Sequence, residues 1–193
     1  MRIGEYEKRW LEMLIKDSGA IDVRVDFGDY QRGGWCDDVD AAIAIATAAE
    51  GKTVYTSLNR AEGIEVTNCL SNGARMANSR VTEIRRLFLD FDPERPTGQP
   101  STAQELSEAR DQAMLVRRHL RESGFPEPAI GLSGNGFHLI YRCAFYNTES
   151  SRRSWGQLYK HLCSKFSTDT VKLDPAVKNA GRLTRFYGTK NVK

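Results

Sequence analysis

The sequence lacks the features that mark membrane proteins, zinc modules and repeat proteins. None of its 193 residues belongs to an apolar run long enough to span a bilayer, and the charged first turn argues against a secretory leader. The four cysteines form no CxxC pair, which argues against a zinc site and for reduced thiols. Repeats and low-complexity stretches are also missing. We therefore expect a cytoplasmic globular protein with no membrane partner.

Positive charge is concentrated in the C-terminal part of the chain. The formal net charge is only +3, yet residues 171–193 contain six lysines and arginines and a single acid, Asp174. Such a segment suits a polyanionic partner, for example nucleic acid or a nucleoside triphosphate. Surface lysines often serve only solubility, so the charge alone does not identify the partner.

Hydrophobic periodicity in residues 1–80 predicts an N-terminal αβ lobe. Residues 59–79 are polar with scattered glycine and are predicted to be a connector. The predicted elements before it are a helix over Glu5–Lys16, a strand over Ile21–Phe27, a helix from Asp37 or Asp38 to Glu50, and a strand over Val54–Leu58.

Residues 81–193 follow the order βαββαβ, which is that of a ferredoxin-like or RRM-like sheet. The predicted elements are a strand over Arg86–Phe91, a helix opened by a capping box at Ser101 or Thr102, a hairpin of Ala129–Leu132 and Phe137–Arg142, a helix around Trp155–Phe166, and extended segments at Val171–Asp174 and Leu183–Tyr187. Both helices should cover one sheet face and leave the other open. The predicted fold class is therefore α+β, with an N-terminal αβ lobe and an RRM-like catalytic lobe in one domain, residues 1–193.

Two acids, Asp90 and Asp92, lie at alternate positions of the strand Arg86–Phe91 and just after it. Side chains two residues apart point to the same face of a sheet, so these carboxylates should lie together and repel each other. A bound divalent metal ion would remove the repulsion. The alternative is a strand end that frays into solvent, with a turn at Asp92 and Pro93.

The predicted topology brings further polar residues to the same place. With the strand order 4-1-3-2, the end of the first strand lies beside the starts of the third and fourth. His138 begins the third strand, and Asp174 is predicted to precede the fourth. Polymerases use converging carboxylates of this kind to hold two metal ions.

A glycine-flanked turn, Ser133–Gly136, precedes His138. Its backbone N–H groups could point at a phosphate, with His138 as a further donor. Taken singly, the turn is a common hairpin connection and the histidine is more often a satisfied core residue. Their placement beside the carboxylates favours the phosphate interpretation.

Three segments resemble the three motifs of archaeo-eukaryotic primase-polymerases, in particular the bacterial, plasmid and phage branch. They are Phe-Leu-Asp90-Phe-Asp92-Pro-Glu-Arg-Pro, Ser133-Gly-Asn-Gly-Phe-His138-Leu, and Leu-Asp174-Pro-Ala-Val-Lys-Asn-Ala-Gly-Arg182-Leu-Thr-Arg185-Phe-Tyr-Gly-Thr-Lys190-Asn. The resemblance implies a template-directed DNA primase or polymerase that transfers nucleotides from dNTPs or NTPs to a 3′-hydroxyl. Synthesis of a primer de novo is left open.

The resemblance also implies roles for individual residues. Asp90, Asp92 and Asp174 are expected to bind two Mg²⁺ or Mn²⁺ ions. Ser133, Gly134, Asn135, Gly136 and His138 are expected to contact the phosphates of the incoming nucleotide. Arg182 and Arg185 match the basic positions after the third acid, which contact nucleotide or template, and because they lie nearer Asp174 we expect them to bind the nucleotide. From the basic C-terminal segment, not from the resemblance, we expect Lys178 and Lys190 to contact the template backbone.

The expected partners are a single-stranded DNA template, a primer strand and the incoming nucleotide. Relatives usually continue past the third motif, so we expect an excised catalytic core that acts with a fused or associated helicase or another replication or defence module. The main alternative is a catalytically inactive, RRM-like nucleic-acid-binding replication module. An RNA-binding RRM would carry aromatic residues where this chain has Asp90, Asp92 and His138, and a rolling-circle nuclease would need paired histidines.

Overall fold

A computed structural model describes residues 3–73, 75–96 and 98–190 of the chain. The chain forms two compact units. The first extends to Arg85 and also includes the segment from Ala180 onward, and the second is Arg86–Asn179. No helix in the described ranges is both long and apolar enough to cross a membrane.

The described residues form both helices and strands, and the strands pair mainly antiparallel. In chain order they are α1 (Glu5–Ser18), β1 (Ile21–Asp26), β2 (Gln31–Cys36), α2 (Val39–Ala48), β3 (Thr53–Ser57), β4 (Arg60–Ala61), a 3-10 helix (Asn78–Arg80), β5 (Val81–Pro93), α3 (Ala103–Glu122), β6 (Ala129–Leu132), β7 (Phe137–Tyr146), α4 (Glu149–Phe166), β8 (Val171–Leu173), a 3-10 helix (Pro175–Lys178) and β9 (Leu183–Arg185).

The first unit contains a four-stranded antiparallel sheet in the order β2-β1-β3-β9. Its core includes Val23 and Val25 of β1 and Leu14 of α1, all fully buried. Of the two predicted helix caps, Asp37 and Asp38, it is Asp38 that caps α2, and its carboxylate accepts the N–H of Ala41 at 2.7 Å. The predictions of α1, β1, α2 and β3 are confirmed to within two residues at each end.

Strand β2 was not predicted, because its sequence Gln-Arg-Gly-Gly-Trp-Cys does not alternate between polar and apolar residues. Its glycines have a packing role instead. A Cβ atom on Gly34 would lie 1.9 Å from the carbonyl oxygen of Cys69, so the backbone of the segment 66–71 passes directly over strand β2. Two N–H groups of that segment, those of Thr67 and Asn68, bond to the carbonyl of Trp35.

In the second unit, the strands neighbour one another in the order β8-β5-β7-β6. Strand β8 pairs antiparallel with the end of β5, and β6 pairs antiparallel with β7. Helix α3 begins with the predicted capping box, in which Thr102 and Glu105 exchange hydrogen bonds. The helix contacts β7 and β8, while α4 contacts β8 and α3. This arrangement brings the ends of β5, β7 and β8 into one sheet.

The prediction that Asp174 precedes the fourth strand is wrong. The fourth strand of this sheet is β8, which pairs with the end of β5, and Asp174 follows β8. The later segment, β9, pairs instead with β3 in the sheet of the first unit, with Arg185 opposite Tyr55. We predicted a lobe boundary between residues 80 and 81, with all of the later residues in the second lobe. The pairing of β9 explains why the segment from Ala180 onward belongs to the first unit.

The face of β5 that carries the acids is not open along its length, contrary to the prediction. Phe88 precedes Asp90 on that face and is only 4% exposed, and Ile140 of β7 is 2% exposed. The face is apolar there, so burial is favourable. The acids lie at the end of the strand.

The backbone contact at Gly34 leads to a test of this packing. Gly34→Ala should lower the free energy of unfolding by about 1–3 kcal/mol, because the new methyl group meets a backbone atom that cannot rotate away. Urea unfolding followed by circular dichroism measures the change.

Gly156 in α4 provides the matched control, since a Cβ atom there would meet nothing within 4 Å. Gly156→Ala should raise the free energy of unfolding by about 0.5–1 kcal/mol through the helix preference of alanine. A neutral Gly34→Ala variant would contradict the packing of the 66–71 segment against β2.

Candidate active site

Asp90 and Asp92 lie side by side at the end of β5, on the face opposite to the fully buried Leu89 and Phe91. Burial and the neighbouring charge of Asp90 raise the pKa of Asp92 from 3.8 to about 6. Arg95 and His138 oppose this shift, and Asp174 adds to it. The carboxylates are therefore close enough to repel one another, as expected from strand alternation.

Asp174 joins the pair through the backbone. Its N–H donates to the carbonyl of Asp90 at 3.0 Å, which continues the β5–β8 pairing by one residue. Its carboxylate accepts the N–H of Ala176 at 2.8 Å and so caps the 3-10 helix Pro175–Lys178. The structure thus places Asp174 next to Asp90, although it reaches that position from the end of β8.

His138 lies in β7 and is almost completely buried. Its Nε2 atom is 3.2 Å from Oδ1 of Asp90, and its ring packs edge-on against Phe88 with 4.7 Å between centroids. The histidine therefore contacts the carboxylate directly. Its burial resembles that of a core residue more than that of an exposed phosphate donor.

One oxygen of Asp90 stands out. The side chain is 15% exposed, yet Oδ1 is buried and has no hydrogen-bond partner among the described residues, although Nε2 of His138 lies 3.2 Å away. A buried carboxylate oxygen without a donor is costly. A cation at this position would remove the cost.

The turn Ser133–Gly136 is closed by its own hydrogen bonds. The Ser133 hydroxyl oxygen accepts the N–H groups of Asn135 at 3.2 Å and Gly136 at 2.8 Å. These two donors therefore point into the turn, contrary to the expectation that they face a phosphate. Gly134, at the tip, is exposed and has a left-handed backbone with φ of 93°.

The same turn lies against the end of β5. A Cβ atom on Gly136 would be 2.3 Å from the carbonyl oxygen of Phe91 and 2.7 Å from Oδ1 of Asp92. Asn135 is buried, and its side-chain oxygen accepts the N–H of Ser101 at 3.3 Å, just before α3. Glycine is needed at 136 because a side chain would displace the acidic strand end. Asn135 fastens the turn to the start of the helix.

The basic residues predicted from the third motif are divided between the two units. Lys178 is exposed in the second unit. Arg182, Arg185 and Lys190 belong to the first. Of these, Arg182 and Lys190 are exposed, whereas Arg185 is 8% exposed.

Arg185 has partners within its own unit. Its guanidinium lies over the ring of Tyr55 at 5.4 Å and donates to the carbonyl of Lys190 at 3.0 Å. Burial lowers the pKa of Arg185. These contacts indicate a structural role in the first sheet.

Two residues near the carboxylates were missed at the sequence level. Arg95 lowers the pKa of Asp92, and backbone carbonyls of Gln99 and Pro93 hold its guanidinium. Tyr159 of α4 donates its hydroxyl to the carbonyl of Asp174 at 2.9 Å. The position of Arg95 three residues after Asp92 was a usable signal. Tyr159 had none, because it falls in the apolar stripe of a helix.

The fit of these residues to a metal ion rests on Asp90 and Asp92. Within the described ranges, no group of three or more His, Cys, Asp or Glu side chains is arranged to hold a metal. The pair nevertheless offers oxygen ligands, a buried Oδ1 without a donor, and a repulsion that a cation would offset. Asp90 and Asp92 therefore fit a hard divalent cation.

Comparison with known proteins gives one structural match. No protein-family profile matches the chain, and no curated protein sequence matches it. The polymerase domain of ligase D from Mycobacterium tuberculosis, solved in complex with DNA, is similar with a TM-score of 0.53 and 17% sequence identity. The similarity covers 93% of this chain and 72% of that chain. At this identity it shows the fold, a mixed α/β fold with antiparallel sheets like that of a polymerase domain.

The raised pKa of Asp92 predicts how stability depends on pH. The folded chain binds the proton of Asp92 more tightly than the unfolded chain does. Ionisation of Asp92 therefore lowers the free energy of unfolding as the pH rises from about 4 to above 6. In metal-free buffer at pH 7.5, Asp92→Asn should therefore be more stable than the parent by up to about 3 kcal/mol. At pH 3, below the ordinary pKa of 3.8, the difference should vanish.

Urea unfolding at the two pH values measures this effect. Asp111→Asn, at an exposed position of α3, is the control and should not change the pH dependence. Equal stability of the Asp92→Asn variant and the parent at pH 7.5 would contradict the proposed crowding of the carboxylates.

Proposed function

We propose that this chain is a metal-dependent nucleotidyltransferase of the archaeo-eukaryotic primase-polymerase type. It transfers nucleotides from dNTPs or NTPs to a 3′-hydroxyl under the direction of a DNA template. The observation that carries the proposal is the meeting of Asp90, Asp92 and Asp174 at one end of an antiparallel sheet, in a chain whose fold is similar to that of a polymerase domain.

The strand order supports an RRM-like catalytic core. From β5 to β8 the elements follow one another as βαββαβ, and the neighbour order β8-β5-β7-β6 corresponds to 4-1-3-2. We take the αβ elements before it as the N-terminal lobe of the same primase-polymerase domain. This topology explains how acids far apart in sequence come together.

In the proposed site, Asp90 and Asp92 supply the oxygen ligands for Mg²⁺ or Mn²⁺. When bound, two such ions would activate the attacking hydroxyl and stabilise the charge of the leaving pyrophosphate. Asp92 must lose its proton before it can act as a ligand. His138 packs beside Asp90, with its Nε2 atom 3.2 Å from Oδ1, and Asp174 is held next to Asp90 as the third acid.

The hairpin turn is the proposed site for the triphosphate. Gly134 is exposed and Ser133 is half-buried, so these two residues are available to a ligand. Asn135 and Gly136 set the position of the turn against α3 and β5. Of the phosphate contacts that the resemblance implies, the proposal therefore keeps Ser133 and Gly134.

Nucleic acid is the proposed macromolecular partner, as a single-stranded template with a primer. The similar polymerase domain was solved in complex with DNA. Lys178 and Lys190 are exposed and are proposed to neutralise backbone phosphates, and Arg182, which is also exposed, is proposed to contact the incoming nucleotide. A fused or associated helicase, or another replication or defence module, would supply the template in single-stranded form.

A catalytically inactive nucleic-acid-binding module is the second candidate. The observation that favours it is the lack, among described residues, of a group of three metal-ligating side chains. Such a module would bind single-stranded DNA and incorporate no nucleotide with Mg²⁺ or Mn²⁺.

Primer extension on a DNA template separates the two candidates. With Mn²⁺ or Mg²⁺, the parent should incorporate nucleotides, and Asp90→Asn or Asp92→Asn should reduce the rate by at least about a hundredfold, because the substituted amide is a much weaker metal ligand. Asp111→Asn should retain the parental rate. Near-normal incorporation by either active-site variant, with folding verified by circular dichroism, would refute the assignment.

A further inference from the structure

Tyr159 is buried in α4, and its hydroxyl reaches the end of β8. The side chain is 1% exposed, and its Oη atom donates to the carbonyl of Asp174 at 2.9 Å. The N–H of Asp174 in turn donates to the carbonyl of Asp90 at 3.0 Å. One helix is thus connected to both acidic strand ends.

The Tyr159 hydroxyl also contacts the end of β5, which carries Asp90. The backbone of Asp90 also hydrogen-bonds to it. The ring packs edge-on against Trp155 at 5.3 Å, which fixes its direction.

The local chain around Asp174 needs such an anchor. Strand β8 ends at Leu173 and a 3-10 helix begins at Pro175, so Asp174 is the junction between them. The carbonyl that Tyr159 holds belongs to the peptide joining Asp174 to Pro175. Rotation of that peptide would move the N–H of Ala176, which holds the carboxylate of Asp174 at 2.8 Å.

We propose that Tyr159 is a positioning residue of the active site, holding the strand end that carries Asp174 against the strand end that carries Asp90. The inference rests on the proposed function and extends it to a residue outside the three motifs. Tyr159 touches no reacting atom and acts only through the two aspartates.

Tyr141 in β7 offers a matched control. It is also buried, at 2% exposure, but its hydroxyl has no hydrogen-bond partner among the described residues. Tyr141→Phe therefore removes the same atom as Tyr159→Phe from an equally buried ring, without breaking a bond to the strand ends. Any general effect of removing a buried hydroxyl appears in both variants.

The test compares the parent, Tyr159→Phe and Tyr141→Phe in primer extension and in binding of Mn²⁺ alone, followed by electron paramagnetic resonance. Tyr159→Phe should lower kcat about fivefold and raise the Mn²⁺ concentration for half-maximal binding by a similar factor, as expected for one lost hydrogen bond. KM for the primer-template should stay unchanged. Tyr141→Phe should match the parent in all three quantities.

Equal kcat and equal Mn²⁺ binding of the two phenylalanine variants would overturn the inference. A loss in Tyr159→Phe that matches only a reduced folded fraction, measured by thermal unfolding, would overturn it too. If the parent incorporates no nucleotide, the proposed function fails, and weaker Mn²⁺ binding by Tyr159→Phe alone still supports the positioning role. A parent that binds no Mn²⁺ refutes both.

Discussion

The backbone pairing between the ends of β5 and β8 is the interaction on which the candidate site depends. Through it, the N–H of Asp174 bonds to the carbonyl of Asp90, so two acids distant in sequence become neighbours in space. Backbone bonds fix this register independently of the charges. The short strand β8 keeps its place because Val171 and Leu173 are both buried.

The proximity of the acids has an energetic cost that the rest of the second unit offsets. Burial and like charge raise the pKa of Asp92, and Oδ1 of Asp90 is buried without a hydrogen bond from the described residues. Leu89 and Phe91 alternate with the acids and are fully buried, which holds the strand in position. Buried carboxylates that repel one another are typical of functional sites, where a bound ligand supplies the interaction that offsets the repulsion.

Much of the fold was predictable because its elements carry strong local signals. The helix start at Ser101 or Thr102 follows from the two registers of a capping box, of which the structure uses Thr102, and the hairpin around Ser133–Gly136 follows from its glycines. The pairing of β8 and β9 was not predictable from local patterns. Both segments are short and extended, and only tertiary packing decides that β8 joins β5 while β9 joins β3.

The same distinction applies to the site. Strand alternation was sufficient to place Asp90 and Asp92 on one face, because the period of a strand is a local property. The burial of Arg185 over Tyr55 and the bond from Tyr159 to Asp174 depend on distant partners. Neither residue type nor spacing reveals such contacts in a single sequence.

The central claim is that Asp90 and Asp92 together hold a divalent cation. Diffraction from crystals soaked in Mn²⁺, recorded where manganese scatters anomalously, tests it most directly. We expect an anomalous peak between the carboxylates of Asp90 and Asp92, with Oδ1 of Asp90 among the ligands. A map without a peak there, in which hydrogen bonds from the protein satisfy that oxygen, would contradict it.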